Sequence, residues 1–283
     1  MKIASYLLGG RPAYGVVTDG GLITVSKGLG SKYASLRAVL EADALEEIRA
    51  AADGQAADAK VEDVQFLPVI TDPTKILCVG LNYEAHRIEA GRDKTEFPTI
   101  FVRFPTSQVG HNQPMIRTKV SDQYDYEGEL AIVIGKHGRY LSEDDALSIV
   151  AGYTCFNDGS IRDWQRHTIQ FTPGKNFPNS GACGPWMTTA DEIPDPQDLV
   201  LETRLNGEVV QHTNTDDMTY PVREIISYCS TFTDLMPGDV IPTGTPSGVG
   251  LARTPQLWMK PGDVVEVDIS KIGILRNPIE AEA

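Results

Sequence analysis

Two glutamates stand one residue apart at the start of an apolar run in the middle of the chain. Glu127 and Glu129 flank a glycine, and the five residues that follow, 130–134, are aliphatic and mostly β-branched, which predicts a buried strand. Alternate residues of a strand point to the same side, so the two carboxylates should project together. Two negative charges so close repel each other, and a divalent cation such as Mg²⁺, which prefers carboxylate oxygens, would relieve that repulsion.

A third acid ends the next predicted strand. Residues 150–157 are again mostly apolar, and Asp158 follows them directly, so it could supply a third ligand beside Glu127 and Glu129. Glu-x-Glu pairs are also common on solvated strands, where they bind nothing. The apolar run that follows this pair favours the metal site over that alternative.

His86 and Glu89 form a second candidate pair. They are three residues apart in segment 82–91, which is predicted to be a helix or a lid, and residues at this spacing are neighbours on one helix face. A carboxylate beside an imidazole orients the ring and raises its basicity, as a general base requires. An ordinary surface ion pair is the alternative.

The segment that follows Asp158 is unusually polar for one that leaves a buried strand. Lys175 stands between Gly and Asn, which leaves room for a ligand to approach closely. Gln165 could donate a hydrogen bond to a developing oxyanion. Arg162 is expected to pair with Asp158 or Asp163 and is also a candidate substrate contact. A solvated loop is the alternative for the whole segment.

Two further features each allow two interpretations. Arg103 ends predicted strand 99–103 and could bind a substrate carboxylate through two hydrogen bonds, or it could balance the local acids. Segment 243–250 is rich in glycine but lacks the Gly-Lys-Ser/Thr ending of a phosphate-binding loop. It could form a backbone nest for a carboxylate or a simple tight turn.

The elements that would position these residues are mostly strands separated by turns rich in Gly and Pro. Strands without alternating helices predict a β-rich α+β fold and argue against a doubly wound sheet. We predict strands at residues 2–8, 13–17, 22–25, 75–80, 99–103, 130–134, 151–156, 199–205, 239–243 and 264–269. Helices are predicted at residues 36–51, 82–91, 142–149 (with Ser142 as N-cap) and 222–229.

The same pattern divides the chain into two predicted units. Residues 1–70 should form a small N-terminal α+β domain that ends in a polar, Ala-rich linker over residues 52–63. Residues 71–283 should form the larger domain, which contains every candidate site residue named above.

Composition excludes several classes of function. The net charge is −14, and no cluster of Lys or Arg would offer a basic face, so nucleic acid is a poor candidate partner. No apolar stretch approaches the roughly 20 residues that cross a bilayer, and the N-terminus does not resemble a signal peptide. We therefore expect a cytoplasmic protein without a membrane partner. The four cysteines are far apart, which argues against a zinc site or a disulfide framework.

In their order along the chain, these motifs resemble the fumarylacetoacetate hydrolase superfamily over residues 75 to about 278. The motifs that carry the resemblance are Gly80-Leu81-Asn82-Tyr83 with His86 and Glu89, Asp125-Tyr126-Glu127-Gly128-Glu129-Leu130, Asn157-Asp158 with Arg162-Asp163-Trp164-Gln165, Gly174-Lys175-Asn176-Phe177, Gly184-Pro185-Trp186, Leu205-Asn206-Gly207, and Pro237-Gly238-Asp239 with the segment from Thr243 to Gly250.

The resemblance implies a mixed β-sandwich roll, a homodimer and one Mg²⁺ or Mn²⁺ per subunit. It implies the following roles: metal ligands at Glu127, Glu129 and Asp158; a water-activating dyad of His86 and Glu89 on a lid; enolate or oxyanion stabilisation by Lys175 and Gln165; and a substrate carboxylate contact at Thr245. The implied substrates are 2-oxo and 2,4-dioxo acids. Two segments, Arg103-Phe104-Pro105 and Gly159-Ser160-Ile161, depart from the pattern of many members and bear on the choice of substrate.

The function predicted first is metal-dependent hydrolysis of a carbon–carbon bond in an acylpyruvate-type acid, by water that His86 activates. Decarboxylation of an oxaloacetate-type acid, or tautomerisation of a hydroxydienoate, is the alternative on the same scaffold. Because neither alternative requires water, the dyad ranks hydrolysis first. A non-catalytic ligand-binding protein is a second alternative, and the positioned base argues against it.

Overall fold

The structure is a computed structural model that describes residues Met1–Ala283. Its strands are β1 (Lys2–Leu8), β2 (Arg11–Thr18), β3 (Gly21–Ile23), β4 (Gln65–Phe66), β5 (Ile76–Gly80), β6 (Thr99–Arg103), β7 (Gln108–Val109), β8 (Met115–Arg117), β9 (Tyr124–Asp125), β10 (Gly128–Ile134), β11 (Val150–Asn157), β12 (Ser160–Ile161), β13 (Gly181–Thr189), β14 (Val200–Leu205), β15 (Glu208–Asn214), β16 (Val240–Pro242), β17 (Val264–Ile269) and β18 (Gly273–Ala281).

The α-helices are α1 (Ser26–Leu29), α2 (Leu36–Glu41), α3 (Leu45–Ala52), α4 (Glu84–Glu89), α5 (Glu143–Ala146), α6 (Arg162–Gln165), α7 (Thr172–Lys175) and α8 (Val222–Phe232). Single 3₁₀ turns occur at Val61–Asp63, Pro105–Ser107, Leu147–Ile149, Ala190–Glu192, Thr215–Asp217 and Gly250–Ala252. An α-helix needs about 20 residues to cross a bilayer, and the longest helix here, α8, has 11.

The strands form two large sheets and one small one. The main sheet has the order β3-β2-β1-β13-β11-β10-β16-β5-β6, with β4 added beside β1 and β7 beside β13. The second large sheet has the order β15-β14-β17-β18-β8, and β9 pairs with β12 separately. Most pairs are antiparallel, but β16 with β5, β13 with β7 and β18 with β8 are parallel. The mixed, β-rich architecture confirms the predicted fold class.

Strand β10 lies in the middle of the main sheet and is buried on both faces. Leu130, Ile132 and Ile134 pack in one core with residues of the five-stranded sheet. Ala131 and Val133 pack in a second core with residues of α2 and α3. Burial of both faces explains why the sequence here is continuously apolar rather than alternating. The two glutamates at the start of β10 are therefore held by a rigid, fully buried element.

The N-terminal part of the chain joins the main sheet through β1. Ile3 pairs with Met187 of β13, and the second core combines residues 1–70 with residues of β10, β11 and β13. The division of the chain at residue 70 stays a prediction, and the structure adds that its two parts share a sheet and a core.

Two local predictions had different outcomes. Helix 36–51 was predicted as one element and is wrong at its middle: α2 ends at Glu41, Asp43 adopts a left-handed φ of 51°, and α3 begins at Leu45. A residue in that conformation cannot continue a helix. The predicted cap at Ser142 is confirmed, because its hydroxyl accepts a hydrogen bond from the backbone N–H of Asp145 at 3.2 Å.

Gly128 gives a testable consequence of the close approach between the sheets. A Cβ at this position would lie 2.0 Å from the Thr203 hydroxyl and 3.3 Å from Val267, so Gly128→Ala should lower the free energy of unfolding by about 1–3 kcal/mol through overpacking. Adding Thr203→Ala should restore much of that loss, because the Thr203 hydroxyl makes no hydrogen bond. Chemical denaturation measures both; a Gly128→Ala variant as stable as the wild type contradicts this reasoning.

Candidate metal centre and active site

Three buried carboxylates converge where β10 begins and β11 ends. The two strands are antiparallel, with Gly128 opposite Asn157, so Glu127 and Glu129 lie beside Asp158. One oxygen atom from each carboxylate can be chosen so that all three lie within 4.8 Å of one another. The structure thus brings together the three acids that the sequence predicted as ligands, and this cluster could bind a metal ion.

Two of these acids have cationic partners. The Lys175 ammonium lies 2.7 Å from Glu127 and 2.6 Å from Asp158. The Arg162 guanidinium lies 2.6 Å from the other oxygen of Glu127. Burial alone would raise the pKa of Glu127, but Arg162 and Lys175 hold it below its usual range, at about 2. The same carboxylates keep Lys175 protonated: burial lowers its pKa, and Asp158 and Glu127 raise it above the usual value.

Glu129 has no cationic partner. It is 1% exposed, and its hydrogen-bond donor is the backbone N–H of Gly244, at 2.8 Å. Burial, together with repulsion from Asp158 and Glu127, raises the pKa of this carboxyl well above its usual value. A buried acid without a cation, beside two further carboxylates, is a donor set that suits a hard divalent cation. The residues present therefore fit the metal that the sequence predicted.

The predicted dyad forms on helix α4. The Nδ1 atom of His86 lies 3.1 Å from one oxygen of Glu89, and the other oxygen of Glu89 accepts a hydrogen bond from the Gly248 N–H at 2.9 Å. A carboxylate at Nδ1 favours the tautomer with its proton there. The Nε2 atom, which has no hydrogen-bond partner in the protein, is then free to act as a base.

The glycine-rich segment after β16 binds the acids of the site through its backbone. The N–H groups of Gly244 and Gly248 hold Glu129 and Glu89, and those of Gly250 and Leu251 hold Asp125 at 2.7 and 3.0 Å. The predicted carboxylate nest is thus present, and the carboxylates that it binds are side chains of the protein.

Asp125 is a residue of the site to which the sequence interpretation gave no role. It is fully buried and accepts a hydrogen bond from Nε of Arg162 at 2.8 Å. The partners predicted for Arg162, Asp158 or Asp163, are therefore wrong; Asp125 and Glu127 are its partners. The sequence signal that could have identified Asp125 is its position in the same short motif as Glu127 and Glu129.

Arg103 balances the acids and does not face the site. It is 2% exposed, and its guanidinium contacts Asp158 at 2.5 Å as well as the Gly159 carbonyl and the hydroxyls of Ser107 and Ser180. Its donors are occupied within the protein. The predicted contact with a substrate carboxylate is therefore wrong, and the alternative role, balance of the local acids, is the one observed.

A cavity of 760 Å³ opens over the acids. Every predicted site residue except Arg103 lines it: His86, Glu89, Glu127, Glu129, Asp158, Arg162, Gln165, Lys175 and Thr245. The Gln165 carbonyl oxygen accepts from Arg162 at 2.9 Å, which leaves its amide N–H groups free to donate. The Thr245 hydroxyl donates to the Gly128 carbonyl and accepts from Gln211. The cavity therefore combines a cation site, a base and a hydrogen-bond donor.

Residues 82–97, which we call the lid, cover one side of this cavity and are held at both ends. The Asn82 side chain donates to the carbonyls of Thr243 and Tyr220, and the Tyr220 hydroxyl donates to the Thr95 carbonyl at 2.7 Å. Between these anchors, Ile88 is 64% exposed. Few apolar contacts hold the middle of the lid, and such segments open at low free energy.

We therefore expect the backbone amides of residues 84–94 to exchange hydrogen rapidly in the free protein. Their exchange should slow when Mg²⁺ and oxalate, a mimic of a pyruvate enolate, are added together, because a ligand that contacts His86 favours the closed lid. Hydrogen exchange read by mass spectrometry measures this, with oxalate alone as the control. Equal protection with and without the ligand pair counts against a lid.

Comparison with known proteins agrees with the fold and the site. The family model described as the fumarylacetoacetate (FAA) hydrolase C-terminal domain matches residues 75–280. Oxaloacetate tautomerase fahd2, mitochondrial, from Xenopus laevis is 40% identical over 238 residues, which are 83% of this chain and 75% of that protein. The chain belongs to the fumarylacetoacetate hydrolase family.

Two solved structures are similar over their whole length. Fumarylacetoacetate hydrolase from psychrophilic Exiguobacterium antarcticum is 34% identical with a TM-score of 0.83, and all of both chains is covered. The 5-carboxymethyl-2-hydroxymuconate delta-isomerase from Mycobacterium smegmatis is 28% identical with a TM-score of 0.79, again over all of both chains. The chain is thus similar to proteins named as hydrolase, isomerase and tautomerase.

Proposed function

We propose that this protein is a metal-dependent tautomerase that interconverts the enol and keto forms of an oxaloacetate-type 2-oxo acid. The observation that carries the proposal is the position of the His86–Glu89 pair in the same cavity as the three buried acids. A base beside a cation site is what proton transfer next to a carbonyl group requires. The relative from Xenopus laevis, which is named an oxaloacetate tautomerase, supports this choice of reaction.

Each residue has a defined part in the proposed reaction. Glu127, Glu129 and Asp158 would hold Mg²⁺ or Mn²⁺, and the ion would supply a Lewis acid that favours the enolate charge. Gln165 would donate a hydrogen bond to a substrate oxygen. His86 would carry the proton between the enol oxygen and the adjacent carbon, with Glu89 fixing its tautomer.

This proposal reverses the order of the functions predicted from the sequence. Hydrolysis ranked first there because tautomerisation needs no water, and the dyad was interpreted only as a group that activates water. A proton that moves between oxygen and carbon also needs a base, however, so the His86–Glu89 pair fits both reactions equally. Because the dyad does not discriminate between hydrolysis and tautomerisation, the choice rests on the names of the relatives, which favour tautomerisation.

Cleavage of an acylpyruvate stays the second candidate, because the dyad that moves a proton can also activate water. Decarboxylation of oxaloacetate needs only the cation and its supporting residues. A non-catalytic binding protein has no use for a base held at a defined tautomer.

One assay series tests the proposal. Enol oxaloacetate and acetylpyruvate are each offered to the protein with Mg²⁺ and then with EDTA, and Mg²⁺ without protein is the control for uncatalysed reaction. Enol absorbance reports tautomerisation, and pyruvate release reports cleavage. We expect rapid, EDTA-sensitive tautomerisation. Tautomerisation at the rate of the protein-free control, together with fast cleavage of acetylpyruvate, would replace the proposal with the hydrolase.

The choice of Mg²⁺ or Mn²⁺, the homodimer and the cytoplasmic location belong to the same proposal. Metal analysis of the purified protein identifies the ion. Light scattering coupled to size-exclusion chromatography gives the molar mass of the protein. A molar mass of one chain, about 31 kDa, would remove the dimer from the proposal.

A further inference from the structure

Four cationic side chains line the cavity, and they fall into two groups. Lys175 and Arg162 are buried at its floor. They form ion pairs there with Asp125, Glu127 and Asp158. Arg92 and Arg166 are exposed at the mouth, and neither guanidinium forms an ion pair or a side-chain hydrogen bond.

The two free arginines come from different parts of the chain. Arg92 belongs to the lid, and Arg166 directly follows α6, next to Gln165. The acid that lines the cavity beside Arg92, Asp93, pairs with neither arginine. In a chain with a net charge of −14, an arginine near the surface readily finds a carboxylate. Two that line one cavity and remain unpaired are available to an anion that enters it.

We propose that Arg92 and Arg166 form a subsite for a second carboxylate, and so select dianionic 2-oxo acids over monoanionic ones. The inference rests on the proposed function, because that function places the 2-oxo acid end of the substrate among the acids, the cation and Gln165. That end of the cavity is closed: Glu129 is 1% and Asp158 0% exposed. The rest of the substrate therefore extends towards the mouth.

The cationic partners of a carboxylate at the mouth can be identified by excluding the cations that are already paired. The floor cations are neutralised by acids, so Arg92 and Arg166 are the cavity-lining guanidiniums with free donors. Arginine presents paired donors that match the two oxygens of a carboxylate. Because Arg92 lies on the lid, an anion bound between the two arginines would also draw the lid towards the opposite wall of the cavity.

Binding of two matched, unreactive acids tests the subsite. The dianion 2-oxoglutarate and the monoanion 2-oxopentanoate share the 2-oxo acid end and differ in the second carboxylate. Each is titrated into the Mg²⁺-loaded protein by calorimetry. The variants are Arg92→Gln, Arg166→Gln and the double substitution; Lys94→Gln, a lid residue that does not line the cavity, is the control with the same change of charge.

We expect the wild type to bind 2-oxoglutarate about tenfold more tightly than 2-oxopentanoate, since each exposed charge-assisted contact contributes modestly. The double variant should lose that preference, and its affinity for 2-oxopentanoate should not change. Lys94→Gln should keep the preference. Equal affinities in the wild type, or an equal loss of both acids in the double variant, would overturn the subsite but leave the proposed function standing. Failure of both acids to bind the Mg²⁺-loaded protein would overturn the subsite and the proposed function together.

Discussion

Glu129→Gln should weaken metal binding strongly while leaving the metal-free protein at least as stable as the wild type. Glu129 is buried without a cationic partner and is repelled by Asp158 and Glu127. Its neutral isostere removes that repulsion and can still accept the hydrogen bond from Gly244. Loss of a supporting contact to a metal ligand typically costs 10–100-fold in affinity, so loss of the ligand itself should weaken Mg²⁺ binding by more than about 100-fold. Calorimetric titration and thermal unfolding in EDTA measure the two effects.

Glu127→Gln is the matched control, because the same chemical change is made at an acid that does have partners. The substitution removes the charge that both Lys175 and Arg162 face. Lys175 keeps Asp158 and Arg162 keeps Asp125, so the loss of stability should stay below the roughly 3–5 kcal/mol of a buried charge left without any partner. This variant should nevertheless lose stability as well as metal. If Glu129→Gln keeps wild-type affinity for Mg²⁺, or if it destabilises the metal-free protein as much as Glu127→Gln does, the metal centre proposed here is wrong.

The sequence does not predict that Glu127 has cationic partners and Glu129 has none. The spacing of Glu127 and Glu129 on a predicted strand was enough to place their carboxylates together, because the alternation of side chains along a strand is a local property. The cationic partners of Glu127, Arg162 and Lys175, come from α6 and α7, more than 30 residues further along the chain. Which acid receives Lys175 and Arg162 depends on tertiary packing that local patterns do not encode.

Two nine-residue strands that the sequence failed to predict, β13 and β18, share a physical cause. Strand β13 contains two glycines and a proline, and β18 contains a proline and several polar residues. Such composition normally indicates a turn or loop. These segments are strands because a partner on each side supplies hydrogen bonds: β1 and β11 flank β13, and β17 and β8 flank β18. Tertiary pairing overrides a weak local preference.

The functional interpretation was limited in a different way. The acids, the dyad, Lys175 and Gln165 line one cavity, and the types and order of these residues were enough to predict them as candidates. The reaction could not be predicted in the same way, because a site that stabilises an enolate beside a base supports both tautomerisation and carbon–carbon cleavage. Selectivity between them depends on what else reaches the substrate, above all on whether the closed lid admits water.

His86→Ala should lower tautomerisation of enol oxaloacetate by roughly 10²–10⁴-fold, the usual contribution of a positioned acid–base group. Any decarboxylation of oxaloacetate should persist at close to its wild-type rate, because that reaction breaks a bond into an electron sink and needs no base. The variant is assayed for both reactions in the same Mg²⁺-containing buffer. Equal loss of both activities would mean that His86 organises the lid or the metal centre and does not transfer the proton.

Glu89→Gln separates these two roles of the dyad further. The amide oxygen can still accept the hydrogen bond from Gly248 that holds the lid, so the closed structure should be retained. The amide N–H₂ group, however, would donate to Nδ1 of His86, where the carboxylate accepts now. The imidazole would then carry its proton on Nε2 and present no free base to the cavity. Tautomerisation should therefore fall nearly as far as in His86→Ala, as it does when a neighbouring carboxamide fixes the wrong tautomer of a catalytic histidine. Wild-type tautomerisation in Glu89→Gln would show that the pair acts through the lid and not through the proton.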